Sequence, residues 1–157
     1  MKKLVYIILA LAILLSLCAC GGGEDEPAAK APADLAALYG SFSDSLPEML
    51  PMEGDMRLNM LGIKDEDCAQ VYTYICGEGM KADEVWLIEA VDSAALERIE
   101  TLAESRKTAK MDETSFYSPD QYAICEAGVI ATEGLYLAFI VSPEAEAMEA
   151  AFMEAVK

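Results

Sequence analysis

An uninterrupted apolar run from Leu4 to Cys20, preceded by Lys2 and Lys3 and stopped at Gly21-Gly22-Gly23, divides this chain before any folding argument begins. Its 17 residues fall short of the roughly 20 that a helix needs to cross a bilayer core. Acids, not further basic residues, come after it. A basic start, an apolar middle and a small-residue end are the layout of an export signal. Residues 1–19 are therefore expected to be removed, and the folding problem belongs to residues 20–157.

The end of the run sharpens this reading. Leu17-Cys18-Ala19-Cys20 resembles a bacterial lipobox, with a branched apolar residue at −3, a small one at −1 and then the cysteine that becomes lipidated. Cys18 is the poorer candidate because Leu17 would stand at its −1 position. Cys20 is thus the expected lipidation site, carrying a diacylglycerol. Two acyl chains, at roughly 0.8 kcal/mol per buried methylene, hold a protein stably where one chain does not. The expectation is a protein anchored to the outer face of the cytoplasmic membrane, extracytoplasmic and not spanning, with the membrane as its first partner. From Cys20 to Ala33 the chain (CGGGEDEPAAKAPA) offers almost nothing to bury and reads as a flexible acidic tether.

Composition matters only after that removal. Nine basic against 28 acidic residues remain, a net charge of −19 over residues 20–157. Such a surface is repelled by anionic headgroups over about a Debye length of 8 Å, and it lacks the clustered cations that nucleic acid requires. The chain has no histidine. That removes Ser-His-Asp and Cys-His chemistry and any side chain whose unperturbed pKa lies near neutrality. No Gly-x-Ser-x-Gly, Ser-x-x-Lys or phosphate-cradling glycine loop is present either. The chain is expected not to be an enzyme and to hold no cofactor and no metal.

Three clusters stand nominally against that expectation. Cys68, Cys76 and Cys125 cannot all pair, stand in no Cys-x-x-Cys spacing, and are read as buried thiols ahead of one disulfide plus a free thiol. Met49, Met52, Met56 and Met60 stand three and four apart, a soft-sulfur set suited to Cu(I). Pro51 and Gly54 interrupt the run, however, so core filling is the simpler role. Asp65-Glu66-Asp67 lacks the alternating acids and glycine of a calcium loop, and reads as a solvated acidic turn.

Residues 34–157 are expected to form one α+β domain. Asp34 caps a helix through Leu35, Leu38, Tyr39 and Phe42, and a short helical piece from Met56 to Leu61 stops at Gly62. Gln70 to Cys76 and Glu84 to Val91 read as strands around Gly77-Glu78-Gly79. A helix runs from Asp92 or Ser93 to about Lys110, with Arg106, Lys107 and Lys110 in its last turns, where the helix dipole favours cations. A helical turn across Asp120 to Glu126 leads to strands Val129 to Thr132 and Leu135 to Ser142, joined by Glu133-Gly134. Pro143 opens a last helix with Ala145, Met148, Phe152 and Val156 on one side. The order helix-strand-strand-helix-strand-strand-helix predicts two layers, a four-stranded antiparallel sheet with helices mainly on one face.

Several of these signposts coincide with a known pattern. Asp34-Leu35, Leu46-Pro47, Gly62-Ile63 before the acidic turn, Ala82-Asp83-Glu84 into a strand, Pro119-Asp120-Gln121-Tyr122, and Leu135-Tyr136 into the last strand resemble a family of Gram-positive, largely clostridial lipoproteins catalogued as domain of unknown function 4358. The resemblance covers nearly the whole mature domain. It carries over no catalytic or binding residue, because the family has none assigned.

Strand parity supplies the only candidate surface. Tyr72, Tyr74 and Cys76 share one face of their strand; Trp86 and Ile88 share one face of the next, and Tyr136, Ala138 and Ile140 one face of the last. If these faces align, Tyr72, Tyr74, Trp86 and Tyr136 form an aromatic surface suited to an envelope protein or a glycan. The alternative is that the first helix, or the segment from Pro47 to Gly62, covers it. The function expected is a non-catalytic binding or interaction module at the cell envelope; the alternative is a carboxylate-dependent hydrolase or a weak metal binder.

Overall fold

A computed structural model describes residues 32–157 of the protein. The expected export signal, the expected lipidation site Cys20 and residues 20–31 of the expected tether lie outside the described residues.

Local chemistry builds most elements where the pattern places them. Asp34 accepts a hydrogen bond from the Ala37 amide at 2.9 Å and starts α1 (Leu35–Phe42). A 3₁₀ turn, Ser43–Ser45, leads to β1 (Met49–Pro51) and α2 (Gly54–Leu61), which ends on Gly62 in the left-handed conformation at φ 75°. Asp65–Asp67 form a second 3₁₀ turn. Strands β2 (Cys68–Cys76) and β3 (Glu84–Ala90) come next. The Asp92 carboxylate accepts from the Ala95 amide at 2.7 Å and starts α3 (Ser93–Ser115). Ser118 caps α4 (Pro119–Ala127), and β4 (Val129–Glu133), β5 (Tyr136–Val141) and α5 (Ala145–Val156) complete the chain.

All strands pair antiparallel in one sheet of order β1-β2-β3-β5-β4. This is α+β, but with five strands where four are expected. The addition is β1, three residues ending in Pro51, which sequence reading treats as a break. Proline is admissible there because β1 is an edge. Two boundaries also shift. Glu133 pairs with Tyr136, so the β4–β5 turn is Gly134-Leu135 and not Glu133-Gly134, and α5 begins at Ala145 with Pro143 in the preceding turn.

The larger correction concerns layers. One apolar cluster joins Trp86, Ile88, Leu137 and Phe139 to Leu61 of α2, Ala95, Ile99 and Ala103 of α3 and Cys125 of α4. A separate cluster joins Val85, Leu87, Ala138 and Ile140 to Leu35 and Phe42 of α1 and Ala145, Met148 and Phe152 of α5. Helices therefore cover both faces, giving three layers, not two. The cause is visible in β3 and β5. Val85-Trp86-Leu87-Ile88 and Leu137-Ala138-Phe139-Ile140-Val141 are continuous apolar runs, each residue buried, and a strand apolar on both sides must be covered on both sides.

Candidate functional site

With both faces occupied, the sheet offers its edges. β2 has nine residues and β1 only three, pairing Met49, Leu50 and Pro51 with Cys76, Ile75 and Tyr74. One further bond extends the pairing, from the Met52 amide to the Thr73 carbonyl at 2.8 Å, matched by Thr73 Oγ1 donating to the Met52 carbonyl at 2.7 Å. Because the Thr73 carbonyl points away from β3, the main-chain groups of Val71, two residues earlier, point the same way. β1 does not reach that far. A groove of about 280 Å³ runs there, lined by Met52, Glu53, Arg57, Val71, Tyr72 and Tyr74 among others.

Arg57 is held at this groove by the short helix α2. Its side chain is almost wholly buried; Nη1 donates to the Met52 carbonyl at 3.3 Å, Nη2 pairs with Asp65, and Nε has no partner. On the far side of the strand, Tyr74 stacks on Tyr39 of α1 with ring centroids 3.7 Å apart and planes 5° from parallel. Burial, and then the neighbouring Tyr74, push the Tyr39 phenol up to about 12. Burial also raises Tyr74, with Glu53 and Tyr72 adding to it. Both phenols are neutral hydrogen-bonding groups at physiological pH.

The four aromatic residues expected on one surface do not share it. Tyr72 pairs with Leu87 and Tyr74 with Val85, whereas Trp86 pairs with Thr73 and with Phe139. Directly paired residues point to the same face, so Trp86 lies on the α3 side, fully buried, with its ring edge-on to Phe139 at 4.9 Å. Tyr136 does share the face of Tyr72 and Tyr74, but it is half-buried, and its phenol oxygen accepts from the Ala33 amide at 3.2 Å. Tyr72 and Tyr74 thus remain as groove residues, with α1 over part of their face. Parity is correct within each strand; the missing signal is register between strands, which a single sequence does not carry.

Sequence reading also missed a buried charge cluster. Glu84, at the start of β3, is fully inaccessible. Its Oε1 accepts from Trp86 Nε1 at 2.8 Å and from Arg106 Nε at 3.0 Å; its Oε2 accepts from Arg106 Nη2 and Lys110 Nζ, each at 2.8 Å. For Arg106, burial opposes the charge, and the Glu84 hydrogen bond and charge outweigh it, raising the guanidinium above its ordinary value. A carboxylate so fully engaged is a poor general acid or base. Among the described residues no group of three or more Cys, Asp or Glu side chains is placed to hold a metal ion. The methionines do not converge: Met52 is in the core, whereas Met56 and Met60 are more than half exposed. Cys125 is buried and Cys68 and Cys76 are half-buried, all as free thiols. Burial pushes the Cys68 thiol up to about 11 and raises Cys125 as well, which makes them poor nucleophiles.

A family model described as "Domain of unknown function (DUF4358)" matches residues 43–142. The chain belongs to that family. In this DUF4358 domain the matched span takes in the whole sheet with α2, α3 and α4. The two helices of the other layer, α1 and α5, lie outside it. No curated protein and no solved structure matches the chain. Among the described residues of the DUF4358 domain, no helix is long and apolar enough to cross a membrane.

Proposed function

We propose that this DUF4358 protein is a lipid-anchored extracytoplasmic interaction module that receives an extended segment of an envelope protein along the outer edge of β2. What carries the reading is the length mismatch at that edge: β2 runs on past the three-residue β1 into a groove bordered by Arg57, Tyr72 and Tyr74. An unpaired strand edge is a template for strand addition, in which main-chain hydrogen bonds supply affinity and side-chain pockets supply selectivity. The saturated Glu84 and the raised thiols favour binding over catalysis. The anchor assignment rests on Lys2-Lys3, the apolar run from Leu4 to Cys20 and the Leu17-Cys18-Ala19-Cys20 pattern at its end.

Both halves of the proposal are open to one preparation. Cells producing the full chain and its Cys20→Ala variant are fractionated, and envelope extracts are passed over wild-type and Val71→Pro protein. Wild type partitions with membranes carrying a mass consistent with a diacylglyceryl cysteine, and Cys20→Ala appears in the medium. Val71→Pro removes a main-chain donor on the open side, so it loses the captured protein while keeping its melting profile; if it melts early, Tyr72→Lys at the groove serves instead. Equal membrane retention of Cys20→Ala, or equal capture by both edge variants, contradicts the proposal.

A further inference from the structure

Two charged residues, Glu53 and Arg57, line the groove beside β2, and their situations differ. Arg57 is spent within the protein. Its guanidinium donates to the Met52 carbonyl and pairs with Asp65, while Nε, which has no partner, is sealed from solvent. Only 7% of the side-chain surface is exposed, so an incoming carboxylate finds little of it to meet.

Glu53 is the opposite case. It stands at the N-cap position of α2 without capping it, and its exposed side chain makes no hydrogen bond or ion pair among the described residues. Its carboxylate lies within electrostatic reach of Tyr74: burial raises that phenol first, and the Glu53 charge adds to it. The charge is therefore felt inside the groove, which Tyr74 lines. Tyr72, half-buried in the same lining, has no stacking partner among the described residues, unlike Tyr74. A tyrosine ring attracts an ammonium or guanidinium through its quadrupole.

The surroundings have the same sign. The chain carries a net charge of −17. Arg57, Lys64 and Arg98 are each paired with an acid of the Asp65–Asp67 turn that leads into β2, so they do little to offset it. A field of one sign steers partners of the other and repels its like.

We propose that the segment received along β2 is basic, an extended stretch of a cationic envelope protein that places a Lys or Arg side chain against Glu53 and the Tyr72 ring. The proposal rests on strand addition at β2 and adds to it the charge of the partner. An acidic segment meets the repulsion of Glu53 and of the domain as a whole. A neutral one covers Glu53 without supplying a counter-charge, which costs free energy.

The full-length protein is used to select from a displayed library of randomised eight-residue peptides, in parallel with Val71→Pro, Glu53→Gln and, on β4 at the far edge of the sheet, exposed Glu133→Gln. Peptides retained by wild type and not by Val71→Pro form the edge-dependent set; if Val71→Pro melts early, cross-linking from position 69 and not from position 132 defines that set instead. Within it, Lys or Arg is expected to concentrate at one position, with Asp and Glu depleted. The concentration persists with Glu133→Gln and is lost with Glu53→Gln. Replacing the selected Lys or Arg of one such peptide by Gln weakens its binding to wild type about fivefold, the upper value for an exposed ion pair, and leaves its binding to Glu53→Gln unchanged. Edge-dependent peptides with no preference for a cation, or with one that survives Glu53→Gln, overturn the basic partner and leave strand addition standing. The absence of any edge-dependent peptide overturns both.

Discussion

Glu84 shows at the residue scale how one buried charge organises its surroundings. Arg106 and Lys110 stand four apart on α3 and look, from sequence, like cations drawn to a helix C-terminus. The helix instead continues to Ser115, with no glycine to stop it, so both sit well inside it and face the carboxylate at the start of β3. Replacing Glu84 by Gln leaves two largely desolvated cations without their counter-charge. We expect a loss of about 3 kcal/mol in denaturant unfolding, the lower end for breaking a buried pair because Arg106 retains some exposure. Combining Glu84→Gln with Arg106→Met and Lys110→Met should recover much of that loss, because an apolar set of similar size has no uncompensated charge. A triple variant as unstable as the single one would show that packing, not charge, sets the cost. Little of this was legible in sequence: parity puts Glu84 on the same side as Trp86, but only the fold brings α3 over them.

At the scale of elements, capping chemistry was the most legible feature. Asp34 and Asp92 start α1 and α3 as their positions predict, and Gly62 stops α2. Gly62 is the sharpest test because two constraints meet there. Its φ of 75° is left-handed, and a Cβ would lie 3.1 Å from Leu102 Cδ2 on α3. Gly62→Ala should therefore lower unfolding free energy by about 1–2 kcal/mol, the cost of the left-handed conformation for a residue with a Cβ, with Leu102 absorbing the close approach by a rotamer shift. Thermal or urea unfolding checks it; an unchanged midpoint would mean that α2 ends differently in solution. β1 was illegible for the opposite reason. Three residues with a proline carry no periodic signal, and they become a strand only because β2 is there to pair with.

For the whole molecule, the α+β class was readable, whereas the number of layers was not. The unbroken apolar runs of β3 and β5 signal a sheet covered on both sides, and assigning their alternating residues to one wet and one dry face set Trp86 on the wrong surface. Covering both faces concentrates what the domain can offer a partner at its edges, where β2 is open beside a groove and β4 supplies an internal comparison. The most direct measurement places a photo-reactive amino acid at exposed Ala69 near the β2 edge, and separately at exposed Thr132 on β4, in the full-length protein on intact cells. A discrete protein adduct from position 69 that disappears with Val71→Pro, and no such adduct from position 132, is the predicted result. No adduct at 69, or the same adducts from both edges, would contradict the central claim that the open edge of β2 is the binding surface.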